Sequence, residues 1–562
     1  MKLRHSPVWK PTLALAMLSL VAPLAPASAS WTSAGKKLTE EQKILHLLNR
    51  IGYGPRPGDL GRVKRIGIEK YIEEQLHPER IDDSALEARL RRFESLRMST
   101  AELYEKYPEP MMIAAQLGLR RQAGGDQPES QQRELRQKIL TYYAEKNLKL
   151  PRELLIELQS QKILRAVYSE RQLYEVMVDF WLNHFNVFWG KGADRWLMTD
   201  YEMNAIRPHA LGKFKDLVMA TAKSPAMLFY LDNFQSSAPD AQLPLGRPAP
   251  SRRALLQRRA RGINENYARE LMELHTMGVD GGYTQKDVEE VARCFTGWTI
   301  ERPRSGARFV FRPWMHDKGE KIVLGHRIPP GGGIEDGEKV IDILVHHPST
   351  ARFIATKLVR RFLSDDPPPA VVERVAAIYQ KTDGDIRQML RAILTSKEFF
   401  SAQAYRAKVK TPFELIVSSI RALGAETDGS PALAQVIARM GQPLYLCQPP
   451  TGYPDRASAW VSAGALLERM NFAQALAGNR IPGTSVDLKR LVGDSQKVLD
   501  RAMDILLGGD VSAQTRQALG EQVKSRVTIP AGKEQSLTQQ NADPNLSRII
   551  ALVLGSPEFQ RR

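Results

Sequence analysis

Asn264 to Trp298 reads NENYARELMELHTMGVDGGYTQKDVEEVARCFTGW. At about 100° per residue, Tyr267, Ala268, Leu271, Leu274 and His275 share one side of a helix. Glu265, Asn266, Arg269, Glu270 and Glu273 share the other. Gly278 supplies a helix stop. Thr284 with Asp287 three residues on opens a second helix. Trp298-Thr299-Ile300 and Phe309-Val310-Phe311 then flank Pro303 to Gly306, which predicts a hairpin, and Ile322-Val323-Leu324 predicts a third short strand.

The same pattern continues outward. Thr39 with Gln42 opens a helix carrying Ile44, Leu47, Leu48 and Ile51 at helical spacing. Ser169 with Gln172 predicts another start, running through Val176, Phe180 and Trp181. Ser224-Pro225 reads as an N-cap followed by proline at the first helical position. Residues 348–363, 383–394 and 457–476 are amphipathic, and His346-His347-Pro348 reads as a helix start. The expected fold class is therefore mainly α: a multi-helix globular protein with a small β-hairpin or short sheet near 298–324. Breaks in pattern divide it into a signal peptide (1–29), an N-terminal helical region (38–235), a basic linker or loop (236–262), a central helical region with the small β insert (263–400) and a C-terminal helical region (401–562). Residues 123–130 and the glycines 331–333 are further breaks.

Composition sets the outer limits. The chain has 562 residues, 43% hydrophobic and 25% charged, which excludes wholesale disorder and fibrous classes. Two cysteines, Cys294 and Cys447, cannot build a disulfide scaffold or a thiolate zinc cluster. Lys2, Arg4 and Lys10 precede the apolar run 12–22, which is too short to span a membrane comfortably. Ala27-Ser28-Ala29 then fits the small-x-small rule, so cleavage near Ala29 and a periplasmic or extracellular location are expected, with no transmembrane span in the mature chain; an uncleaved anchor is the alternative. Export permits a Cys294–Cys447 bridge, and two free buried thiols are the competing reading. The net charge is +17. Without RNP, zinc-finger or aromatic-interleaved basic patterns, nucleic acid is not an expected partner. Arg252, Arg253, Arg258, Arg259, Arg261 and the Arg360-Arg361 pair read as solvated surface, suited to an anionic envelope polymer.

Seven ordered blocks carry a resemblance. They are HLLNRIGYGPRPGDL from His46, FWLNHFNVF from Phe180, and RPHALGKFKDLVMATAKSPAMLFYLDN from Arg207. They continue with the stretch from Asn264 quoted above, HDKGEKIVLG from His316, HPSTARFIATKLVRRFL from His347 and QPPTGYPDRASAWVSAGALLERMNFA from Gln448. Together they resemble the bacterial "domain of unknown function 1800" family. The resemblance implies a large, exported, mostly helical bacterial protein. It also implies a genomic neighbour, an exported sulfatase-like protein, as a candidate partner. It supplies no activity and no catalytic residue.

The chemistry must come from the residues. The polar density of Asn264 to His275 makes Arg269, Glu270, Glu273 and His275 candidate catalytic groups in a cleft; a solvated, self-paired helix face is the simpler alternative. His275 stands alone, without the second histidine four residues away that a zinc-protease helix needs. His184 lies among Phe180 and Trp181, the setting of a core histidine. His316-Asp317 follows the predicted hairpin. If His184, His275, His316 and Asp317 converge, imidazole and carboxylate suit a divalent metal such as zinc, iron or manganese, with Asp317 orienting His316. No nucleophile elbow, P-loop, dinucleotide fingerprint or haem motif is present. Two readings follow: an envelope-associated binding or scaffold protein, or an extracytoplasmic metal-dependent hydrolase or oxidoreductase with a His/Glu/Asp cleft.

Overall fold

The computed structural model describes residues 37–119, 129–239, 241, 262–302, 305–489, 495–524 and 544–562. The expected signal peptide and most of the basic linker lie outside the described residues. What is described is mainly helical, with three two-stranded antiparallel sheets.

Local chemistry explains most helix starts. Thr39 and Gln42 form a reciprocal capping box on Glu40–Arg50, and Thr284 and Asp287 do the same on Gln285–Cys294. His347 caps Pro348–Phe362 by accepting the Ser349 N–H at 3.2 Å. Ser169 departs from the expected pattern. Its hydroxyl donates to Asp83 at 2.7 Å and accepts the Arg171 N–H, so the helix Gln172–His184 begins without a side-chain cap. Asp83 fixes the hydroxyl proton and the Arg171 N–H takes the acceptor side a cap would use, which spacing could not reveal.

The predicted hairpin forms with Trp298 opposite Phe311 and Ile300 opposite Phe309. The third strand does not join it. Lys321–Val323 pairs instead with His326–Ile328 as a separate hairpin, because Leu324 and Gly325 both adopt positive φ and turn the chain back at once.

Two helices change pitch. Asp194–Asp200 continues into a π-helical turn at Tyr201–Ile206, and Glu265–Glu270 continues into another at Leu271–Thr276. In the second, the Thr276 hydroxyl donates to the Leu271 carbonyl, five residues back, at 2.7 Å. Such wide turns recur at functional sites.

One cluster of buried apolar residues runs from Ile44 to Phe559 and includes all three helical regions. Gln172–His184 lies within it, burying Leu173, Val176, Met177 and Trp181. The described ends of the 236–262 stretch meet, with the Ser237 N–H donating to Gly262 at 3.4 Å. Cys294 and Cys447 are both free and buried. Among the described residues no helix is long and apolar enough to cross a membrane.

Candidate functional site

The structure brings two of the expected site residues together. The rings of His184 and His275 lie 6.2 Å apart. His184 Nε2 is 3.0 Å from the His275 carbonyl. A carbonyl only accepts, so Nε2 carries the proton and Nδ1 holds a lone pair. That Nδ1 is buried with no hydrogen-bond partner among the described residues. Burial, then the nearby Lys357 charge, holds the His184 imidazole well below its usual range and His275 down at about 3. Both are neutral at physiological pH.

His316 and Asp317 have other partners. His316 Nδ1 lies 2.8 Å from the Thr296 carbonyl and Nε2 lies 3.1 Å from Asp336 Oδ2. Both ring nitrogens thus face oxygens of the protein's own fold. Asp336, not Asp317, is the carboxylate at His316, and it also pairs with the buried Lys321 at 2.7 Å. Asp317 forms a two-pronged pair with Arg293, at 2.8 and 3.1 Å. Among the described residues, no group of three or more His, Cys, Asp or Glu is placed to hold a metal ion.

The polar face of the 264–275 segment is partly self-paired. Arg269 lies 3.7 Å from Glu265 and donates to Gln285 at 2.7 Å. Glu273 accepts the Tyr283 hydroxyl at 3.4 Å. Glu270 is half-buried, and burial followed by Glu273 raises its carboxyl above the usual range.

A cavity of about 310 Å³, lined by His184 but not by His275, opens between the helices Pro151–Tyr168, Gln172–His184 and Pro348–Phe362 and the loop 442–460. Arg269, Glu270 and Glu273 do not line it. Five basic and two acidic side chains do. Most of these charges are matched. Lys162 pairs with Asp179 at 2.6 Å, Arg361 with Glu414 at 2.5 Å, and Asp455 with Lys408 at 2.9 Å. Arg456 reaches Asp366 at 3.6 Å. Among the described residues two of these cations lack an ion pair. There, Arg360 donates to the Asp365 main-chain carbonyl, at 3.2 Å. Lys357 makes no hydrogen bond or ion pair among the described residues and packs its ammonium 5.3 Å from the Phe353 ring. Burial, then Arg360, brings the Lys357 amine down to about 8. Burial, then Arg456, lowers Arg360.

The Arg360-Arg361 pair, read from sequence as solvated surface, is thus split between a buried and a part-buried side chain. Arg361 is buried on Glu414, and Arg360 faces the cavity. One sequence signal could have marked this. The helix PSTARFIATKLVRRF carries four basic residues and no acidic one, so it cannot pair its own charges.

The cavity wall is held by asparagines of the FWLNHFNVF block. Asn183 grips Tyr453, donating to its carbonyl at 2.8 Å and accepting its N–H at 2.7 Å. Asn186 donates to the carbonyls of Cys447 and Pro449 at 3.0 and 2.8 Å. Tyr445 sits at φ +64°, costly for a bulky residue. It is held there by its hydroxyl on Glu202 at 2.6 Å and by the Trp189 N–H on its carbonyl at 3.1 Å.

No curated protein and no solved structure matches the chain. Residues 46–561 match the model of one family, a span that takes in the three helices and the loop around the cavity. The chain belongs to the family described as Protein of unknown function (DUF1800).

Proposed function

We propose that this is an exported, envelope-associated binding protein whose cavity takes a small anionic ligand. The observation that carries the reading is the pair of cations, Lys357 and Arg360, that face one cavity without a carboxylate partner among the described residues. A part-buried cation with no direct ion pair is incompletely compensated, and an anion entering the cavity would supply the missing contact. Phe180, Tyr453 and Trp460 line the same space and suit a ligand with an apolar face. A sulfatase-like exported partner fits this reading through the family resemblance, and an anionic envelope polymer is a natural source of such ligands.

Titration calorimetry with malonate, phosphate and sulfate tests the binding. At least one should bind, and the double variant K357M/R360Q should bind it at least about tenfold more weakly, as expected when charge-assisted hydrogen bonds are lost. Equal binding by the double variant would reject the reading. Export is tested separately: mass spectrometry of the protein from the cell envelope should find a chain beginning near Ser30. Cytoplasmic protein retaining Met1 would reject export.

A further inference from the structure

We propose that Lys357 is a carbonyl-reactive amine, forming a reversible imine with an anionic aldehyde or 2-oxo acid that Arg360 holds by its charge. The inference rests on the anion-binding reading of the same cavity and names the ligand class more closely.

The geometry distinguishes Lys357 from the other sequestered lysines. Lys321 is tied to Asp336 at 2.7 Å, Lys408 to Asp365 at 2.6 Å, and Lys410 to the Ser418 hydroxyl at 2.7 Å. Each nitrogen is engaged. Lys357 alone among these lines the 310 Å³ cavity, and its amine has no hydrogen-bond or ion-pair partner among the described residues. Arg360 lies three residues on, almost one turn along the same helix, and lines the same cavity. Desolvation and a neighbouring cation are the two devices that keep a lysine in its nucleophilic, uncharged form. Here they bring the amine to about 8, so about a tenth of it is free base near pH 7. His184 also lines the cavity and keeps a lone pair on Nδ1 that nothing described engages.

The step balances without an oxidant or reductant. The Nζ lone pair attacks the carbonyl carbon and a C–N bond forms. The carbonyl π pair moves to oxygen, which takes a proton. Loss of that oxygen as water, using a second proton, leaves C=N. Both protons come from the neutral amine at Nζ and both end on the departing water. The ligand's separate carboxylate stays on Arg360 throughout.

Glyoxylate is small enough to enter the cavity in any orientation, and glycolate is the same anion without the carbonyl. Full-length protein is treated with glyoxylate and cyanoborohydride, and labelled lysines are located by peptide mass spectrometry. Lys357 should be carboxymethylated at least about tenfold faster than the exposed Lys70 and Lys318. Excess glycolate should slow labelling at Lys357 alone. Arg360→Gln should slow it about tenfold while leaving Lys70 unchanged. Labelling of Lys357 no faster than that of Lys70 and Lys318 overturns the proposal. If glycolate binds by calorimetry, and more weakly in Arg360→Gln, while Lys357 stays unlabelled, the imine is excluded and the anion site stands. If neither glycolate nor glyoxylate engages the cavity, both fall.

Discussion

His275 shows how much one residue's position in a helix can decide. On the apolar stripe with Ala268 and Leu271 it points inward, and the structure buries it. The burial of His275 and of His184 was legible in the sequence because both imidazoles share faces with large apolar side chains; their approach to one another is set by the tertiary fold. Burial keeps His275 neutral down to about pH 3 in the folded chain, whereas the unfolded chain protonates it near pH 6.5. Protons therefore bind the unfolded state better. The stability this group contributes is full above about pH 6.5 and is lost as pH falls toward 3, by about 1.4 kcal/mol per pH unit per histidine. Urea midpoints should drop between pH 7 and pH 5. His275→Leu should reduce that drop and leave a remainder from His46 and His184, which burial also depresses. An unchanged slope in the leucine variant would contradict the assignment.

Elements joined by local bonds were the readable ones. Capping boxes at Thr39 and Thr284 and the register of Trp298 on Phe311 follow from residues a few positions apart. The cavity was not readable, because its wall depends on contacts between positions more than 250 apart, such as Asn183 with Tyr453. Gly452 shows the constraint at that junction. It adopts φ +70°, and a Cβ there would stand 2.2 Å from the Asn183 carbonyl oxygen. Gly452→Ala should therefore push the loop 442–460 off the helix Gln172–His184. The expected outcome is an unchanged far-ultraviolet helical signal with anion affinity lowered at least about tenfold, as a displaced binding wall requires. Retained affinity would show that the loop does not shape the site. The helix Pro348–Phe362 was legible as a helix but not as the source of three of the cavity's five basic side chains. Its periodicity sets which residues share a face, and only the tertiary fold decides what that face meets.

Across the whole molecule, distant segments are tied through one buried carboxylate. Glu414 Oε1 lies 2.5 Å from Arg361 and 3.1 Å from Arg562, and Oε2 accepts the Thr411 N–H at 2.9 Å. The main chain of Arg562 exchanges hydrogen bonds with Lys408 at 2.8 and 3.3 Å. Glu414→Gln removes the carboxylate that pairs directly with both Arg361 and Arg562 in the interior, so denaturant unfolding should show a loss of about 3–5 kcal/mol. A loss below about 1 kcal/mol, the scale of an exposed pair, would mean the cluster is solvated. Among the described residues this network pairs most of the interior charge and leaves Lys357 and Arg360 without a direct ion pair, on which the functional account depends. The most direct test is an anomalous-difference map from crystals soaked in selenate. The account predicts a selenium peak in the cavity within about 4 Å of both the Lys357 ammonium and the Arg360 guanidinium, the ion-pair range. Selenate confined to exterior basic side chains such as Arg308 and Arg327, with only water beside Lys357 and Arg360, would contradict it.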